Sequence, residues 1–272
     1  MAEPHIVVCV KVTPKAEEIR VDPETNLLAR QGVRSEINPP DMNAMEVALD
    51  LKDRHGGRID ILSMGPPLFE GYLRDVLAMG ADHVYLLSDR AFAGADTLAT
   101  TYTLAKAIEK LGNVDIVVCG EESSDGATGQ VPPGLAEWLQ VGLISGVTEA
   151  TFLPTSGTLR GRREIAGGHE LLEVSLPCVI SVKSAANEPR FMDYRIKAWA
   201  EKPDQLTVWT SADLGADPDF IGLVGSPTRV SGLEQAKTRD RLGIQLAGEP
   251  RQIAMQLAAV LQDQLRLSGP DN

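Results

Sequence analysis

Aromatic residues make up only 4% of the chain, too few to build a base-stacking surface. Basic residues are also short: Lys and Arg number 26 against 38 Asp and Glu, and the formal net charge is −12. With no long basic run, that balance repels nucleic acid and excludes it as a partner. Apolar runs of about twenty residues are missing, so no membrane span is expected. The start, Met1-Ala2-Glu3-Pro4, has neither a basic flank nor an apolar core, so no signal peptide is expected. Cysteine is limited to Cys9, Cys119 and Cys178, far apart in apolar strand-like runs. Placed so, they read as small buried residues in a reducing, cytoplasmic compartment rather than as disulfide or metal ligands. The four histidines show no ligand spacing with cysteine or acid. No Ser–His–Asp pattern is visible, so no side-chain nucleophile is expected.

What remains is a chain of 272 residues, 43% hydrophobic, enough for one large domain or two small ones. His5–Val12 is an apolar run expected as a strand buried on both faces and ended by Thr13-Pro14. Arg20–Ala29 suggests a small hairpin around Pro23–Asn26. Asp41 is the expected N-cap of a helix that fades at Gly56-Gly57. Arg58–Ser63 and His83–Leu87 are expected strands, with a helix Phe69–Met79 between them. A helix Thr97–Leu111 and a strand Asp115–Cys119 follow. Four strands alternating with helices in about 140 residues argue for a doubly wound, mostly parallel α/β sheet. Beyond Leu139 the pattern turns antiparallel. Ser145–Leu153, Thr158–Ile165 and Glu170–Leu176 alternate, with Gly167-Gly168 as a hairpin turn and Cys178–Val182 as a further buried strand.

The expected division is therefore an α/β domain over 1–210, with an antiparallel extension at about 143–182, then an arm over 211–272. Gln205–Thr210 is its last strand. Asp213–Glu249 is rich in Gly, Pro, Ser and charge, and reads as an extended arm. Arg251–Leu267 closes the chain as an amphipathic helix with Ile253, Leu257, Val260, Leu261 and Leu265 along one face. A helix on such an arm suits a second chain. The stretch Asn187–Glu201 mixes Phe191, Met192, Tyr194, Ile196 and Trp199 with charges. It reads either as a partner surface or as a loop tucked onto its own core.

In a doubly wound sheet, ligands sit past the carboxyl ends of the strands, where strand order reverses. The loops concerned are Val12-Thr13, Ile37–Asn43, Met64–Pro67, Ser88–Thr97 and Gly120–Val131. The last is the most telling. Gly120, Gly126 and Gly129 allow close backbone approach, Ser123, Ser124 and Thr128 bring hydroxyls, and Gln130 opens a helix whose first N–H groups are unpaired. Such an edge suits phosphate, with Asp125 holding the loop or accepting from a ribose. A plain strand-to-helix connection can have the same composition.

Five strings in order go further. They are Val8-Cys9-Val10-Lys11-Val12; Ile37-Asn38-Pro39 with Asn43–Ala48; Ala78-Met79-Gly80-Ala81-Asp82; Asp125-Gly126 with Thr128 and Gln130; and Asn187-Glu188-Pro189-Arg190. Together they resemble the beta subunit of the electron-transferring flavoproteins nearly end to end. The resemblance implies an adenine-nucleotide-binding α/β fold and an alpha-subunit partner that carries a redox-active FAD. It implies nucleotide contacts at Cys9, Val10, Asn38, Gly120, Ser123, Asp125, Gly126, Ala127, Thr128, Gly129, Gln130 and Val131. It also implies partner recognition by Phe191, Met192, Tyr194 and Ile196.

In one branch of that family the site holds structural AMP, and the protein carries electrons between acyl-CoA dehydrogenases and a quinone reductase. In the electron-bifurcating branch it holds a second FAD reduced by NADH, which serves the alpha-subunit FAD and a low-potential acceptor. Leu62–Pro67 and Ser88–Thr100 resemble the bifurcating members. They add Met64, Gly65, Asp89, Arg90, Ala93, Gly94, Ala95, Asp96, Thr97 and Thr100 as expected cofactor contacts, and FAD as the expected ligand. One departure stands out: Glu121-Glu122 occupies a place where the family usually has a basic residue followed by glutamine. A further reading from another class, a stand-alone nucleotide-binding regulator of the stress-protein kind, predicts a monomer or homodimer.

Overall fold

Short runs of Val, Ile and Leu, apolar on both faces, form interior parallel strands only if helices cover each side of the sheet. A computed structural model of the chain describes residues 3–15, 34–229 and 243–267. In chain order its elements are β1 (His5–Cys9), β2 (Val12–Pro14), β3 (Ser35–Ile37), α1 (Pro39–His55), β4 (Arg58–Met64), α2 (Glu70–Leu77), β5 (His83–Leu87), α3 (Thr97–Leu111), β6 (Ile116–Gly120) and α4 (Val131–Leu139). There follow β7 (Gly142–Leu153), β8 (Thr158–Ile165), β9 (Gly168–Ser175), β10 (Cys178–Val182), α5 (Tyr194–Ala200), β11 (Leu206–Trp209) and α6 (Pro250–Leu267).

Nine strands form one sheet in the order β11-β5-β4-β1-β6-β10-β7-β8-β9. Every pairing from β11 to β7 is parallel, and β7–β8–β9 is an antiparallel meander. Alternate residues of each central strand enter opposite cores. Ile6, Val8, Ile59, Ile61, Ile116 and Val118 pack with α1 and α2. Val7, Cys9, Leu62, Val117, Cys119 and Val179 pack with α3 and α4. The expected α/β sheet is thus present, and its antiparallel extension comprises β7 to β9. Within the expected span of 143–182, β10 instead runs parallel to β6 and β7.

The chain leaves β1 towards β4 on one side and returns to β6 on the other. Strand order therefore reverses at β1, and the β1/β6 carboxyl edge is the place where such sheets bind ligands. The first strand is shorter than expected. The Asp41 carboxylate takes the Lys11 N–H at 2.7 Å, and the Lys11 carbonyl takes the Asn38 N–H at 2.9 Å. These bonds draw the chain off the main sheet, and Val12–Pro14 pairs antiparallel with Ser35–Ile37 instead. Asp41 is not the N-cap. Helix α1 begins at Pro39, where a missing N–H costs nothing, and Asn38 takes the cap position without a side-chain cap bond. The expected Pro23–Asn26 hairpin lies outside the described residues.

The chain forms two units, Met1–Leu233 and Glu234–Asn272. The expected arm from residue 211 therefore begins later. Leu214, Ile221 and Ser226 are buried in the first unit, and Phe220 stacks on Tyr102 with ring centroids 5.2 Å apart. Composition rich in Gly, Pro and Asp misled here because this segment has turns but no periodic apolar pattern. In the second unit, α6 leaves Met255, Leu257 and Leu261 exposed. No helix among the described residues is long and apolar enough to cross a membrane.

Candidate functional site

Asn38 links the first strand crossing to the Gly-rich loop. It is 1% exposed, its Nδ2 donates to the Glu122 carbonyl at 2.9 Å, and its Oδ1 accepts the Ser124 N–H at 2.9 Å. Lys11, just past β1, reaches across the same edge. Its Nζ lies 2.6 Å from Asp125 Oδ1 and 3.3 Å from Ser123 Oγ. Ser124 Oγ donates to Thr13 Oγ1 at 3.1 Å. Below them, the buried Asp41 carboxylate accepts the N–H groups of Lys11 and Gly120. A Cβ on Gly120 would run into Asp41 and Pro40, which is why glycine stands there. Ala127 and Gly129 take positive φ, 46° and 60°, turning the loop towards α4.

A second strand-end loop, 88–97, joins this rim. Thr97 Oγ1 donates to Gln130 Oε1 at 2.9 Å, bridging the starts of α3 and α4. Asp89 and Asp96 bond to groups of the protein itself. Asp89 Oδ1 accepts the Ala91 N–H, and its Oδ2 accepts the Ser211 hydroxyl at 2.6 Å and N–H at 3.0 Å. Asp96 Oδ1 caps α3 through Leu98 and Ala99, and its Oδ2 accepts the Thr228 hydroxyl at 2.7 Å and N–H at 3.0 Å.

Electrostatics follow these contacts. The Ala91 N–H and the Ser211 hydroxyl and N–H hold the Asp89 carboxyl below its usual range. Burial pushes Asp96 up, but the Thr228 hydroxyl and N–H and the helix-start N–H groups outweigh it, and the net direction is down. Burial likewise raises Asp125, and the bond and charge of Lys11 overcome that and lower it. Asp41 goes the other way: burial pushes it up to about 7 despite its two backbone donors.

The structure thus brings together Asn38, Gly120, Ser123, Asp125, Gly126, Ala127, Thr128, Gly129, Gln130 and Val131 on one rim, with Thr97 beside it. Gly126, Ala127 and Thr128 are exposed. Met64 ends the neighbouring β4, and Gly65 follows it with its N–H donating to the Leu87 carbonyl of β5 at 3.0 Å. Arg90, Ala93 and Gly94 are exposed, Ala95 and Thr100 half-buried, and Arg90 forms no ion pair among the described residues. Cys9 and Val10 bury their side chains, so only their backbone faces this edge. Residues passed over in the sequence are Lys11, Ser211 and Thr228, whereas Thr13 lies in one of the expected edge loops. A lone cation at the carboxyl end of an apolar strand was the available signal for Lys11. The two hydroxyl partners of the aspartates had none, being over 120 residues distant.

The unusual Glu121 has a structural outlet. Its Oε1 accepts the N–H and hydroxyl of Ser184 at 3.0 and 2.9 Å, away from the glycine loop. The acid beside the glycine loop is thereby turned aside. Arg90, three hydroxyls, the glycine backbone and Lys11 in its ion pair with Asp125 form a rim that suits a phosphate-bearing nucleotide.

The Asn187 and Asn43 strings, far apart in sequence, meet in space. Asn43 Nδ2 donates to the Asn187 carbonyl at 2.8 Å, and Asn187 Nδ2 donates to the Asn43 carbonyl at 3.1 Å. Arg190 forks onto Glu46 and Asp53, both at 2.9 Å. Beyond this anchor Phe191 is 96% and Tyr194 80% exposed. Met192 packs against the core, Ile196 is half-buried, and residues 194–200 form α5 rather than an open loop.

Residues 25–214 match the Electron transfer flavoprotein domain. The chain belongs to the electron transfer flavoprotein beta-subunit family. This beta subunit is similar to Protein FixA of Azotobacter vinelandii, 43% identical over 87% of this chain and 86% of that protein. It is 41% identical to the Caffeyl-CoA reductase-Etf complex subunit CarD of Acetobacterium woodii over 83% of this chain and 86% of the relative. It is 42% identical to the electron transfer flavoprotein subunit beta of Clostridium acetobutylicum, with the same two coverages of 83% and 86%. Its mostly parallel sheet agrees with that family's fold.

Proposed function

We propose that this beta subunit holds a second FAD on the rim formed by loops 88–97 and 120–131. The electrons come from NADH and pass to the alpha-subunit FAD and a low-potential acceptor. The observation that carries this reading is the Thr97–Gln130 bridge. It joins the exposed Arg90 and small residues of one loop to the Lys11-centred phosphate rim of the other. That makes one continuous edge, where AMP would need only the second loop. The relative named for a caffeyl-CoA reductase-Etf complex supports the same branch.

When bound, the flavin supplies the electron-transfer chemistry. The chain positions it. Backbone N–H groups, Lys11 and the hydroxyls hold phosphate, Asn38 keeps the loop in shape, and Arg90 offers a charge that favours a reduced, anionic ring. Arg90 and the wall of Ala93, Gly94 and Ala95 are the proposed ring contacts. Phe191, Tyr194 and, in part, Met192 and Ile196 are the proposed redox-partner surface. The exposed apolar residues of α6 are proposed to pack on the alpha subunit. Three free, buried cysteines support a reducing, cytoplasmic setting.

The test is the identity and stoichiometry of nucleotides released from the purified heterodimer. Two flavins per heterodimer are expected. One flavin with one AMP would overturn the FAD reading in favour of a carrier between acyl-CoA dehydrogenases and a quinone reductase.

A further inference from the structure

Asp89 and Asp96 sit on the loop proposed above to meet the flavin, yet both oxygens of each carboxylate are already engaged by the protein. Each has one oxygen committed to its own loop or helix start and the other to a hydroxyl and an N–H from the chain beyond β11. Two more contacts tie the same pieces together. The Asp96 N–H donates to Ser226 Oγ at 2.8 Å, and Ser226 Oγ donates to the Gly222 carbonyl at 2.6 Å. Gly222, at φ 55°, passes so near the loop that a Cβ would strike the Ala91 carbonyl, and a Cβ on Gly94 would lie 2.6 Å from Leu223 Cγ. A loop of Ala, Gly and Asp has little of its own to hold one shape, because such residues leave the backbone free. Here the shape is imposed from outside, at both ends of the loop and in its middle.

We propose that Ser211–Thr228 is a positioning clasp for the loop 88–97, with Asp89 and Asp96 as its anchor points rather than as ligand contacts. The inference rests on the reading that this loop meets the flavin portion of FAD. Its consequence is selective. Loosening the clasp disturbs the flavin end of the ligand and leaves the adenine nucleotide end, held by loop 120–131, as it was. A loss of general stability would affect both.

The experiment titrates the full-length chain, freed of nucleotide, with FAD and separately with AMP. Tryptophan fluorescence reports affinity and visible circular dichroism reports the setting of the bound flavin. Thr228→Val should weaken FAD roughly tenfold to a hundredfold, the effect of one lost charge-assisted hydrogen bond. It should change the flavin dichroism at saturation and leave AMP affinity within about twofold. Thr228→Ser, which keeps the hydroxyl, should restore both FAD readouts. Ser211→Ala tests the other anchor and should act in the same direction, which keeps the test decisive if Thr228→Val folds poorly. Unchanged FAD affinity and dichroism in Thr228→Val and Ser211→Ala would overturn the clasp while leaving the site in place. A fall in FAD and AMP affinity by the same factor would also overturn it. Wild-type chain that binds neither nucleotide would instead remove the reading of the site, and the clasp with it.

Discussion

Removing the Asn38 side chain is the sharpest single perturbation of the candidate site. Asn38→Ala deletes two hydrogen bonds to the glycine loop, one to the Glu122 carbonyl and one from the Ser124 N–H, both 2.9 Å. Net values of about 1 kcal/mol each make the loop's bound-like shape about 2 kcal/mol less favoured. Nucleotide binding has to restore that shape, so affinity should fall roughly thirtyfold. The helix cap does not confuse the outcome, because Asn38 makes no side-chain cap bond to α1. Calorimetric titration of nucleotide-free wild type and Asn38→Ala with FAD measures the ratio directly. Equal affinity in wild type and Asn38→Ala would refute the argument that this residue pre-shapes the loop.

Gly126→Val should lower nucleotide occupancy without unfolding the sheet, since a Cβ there meets only Ser123 Oγ at 3.2 Å; unchanged nucleotide content beside an unchanged melting curve would place the ligand elsewhere. Thr128→Val should weaken phosphate binding by about 1–2 kcal/mol, read as a fivefold to thirtyfold rise in the AMP dissociation constant. Asp41, pushed up to about 7 by burial, lies above the roughly 3.9 of an unfolded aspartate. Its stabilising contribution is therefore full below the unfolded value and is lost as pH climbs through about 7, amounting to about 4 kcal/mol over the whole interval. Melting temperatures should fall between about pH 4 and pH 7 in wild type and much less in Asp41→Asn, and parallel curves would contradict this. Deleting residues 251–267 should abolish co-purification with the alpha subunit, and normal pairing of the shortened chain would sink the proposed role of α6.

The central strands were legible because burial on both faces writes itself as an apolar run. β5, α3, β8 and β10 lie where His83–Leu87, Thr97–Leu111, Thr158–Ile165 and Cys178–Val182 were expected. Local pattern fails where a distant partner decides. The apolar run at His5–Val12 continues past Cys9, but Asp41, some 30 residues on, diverts it through the Lys11 N–H. Asp41 has the composition of a helix cap and instead turns inward, towards the N–H groups of Lys11 and Gly120. At the rim, hydroxyls and glycines marked the loop 120–131, whereas Lys11 was hidden inside an apolar string. Asp89 and Asp96 were expected as ligand contacts because their loop resembles that of the bifurcating family members. Their partners Ser211 and Thr228 lie in a stretch that carries no pattern of its own.

Helix α1 joins two places that would otherwise move independently. Its start abuts Asn38, which grips the glycine loop, and two turns on Glu46 grips Arg190 at the root of the Phe191–Tyr194 surface. Eight residues of helix span about 12 Å. On the proposed function, a redox protein seated on Phe191 would be kept at a set offset from the flavin on the rim. The gap an electron has to cross is then fixed by a rigid rod rather than left to the wandering of a surface loop.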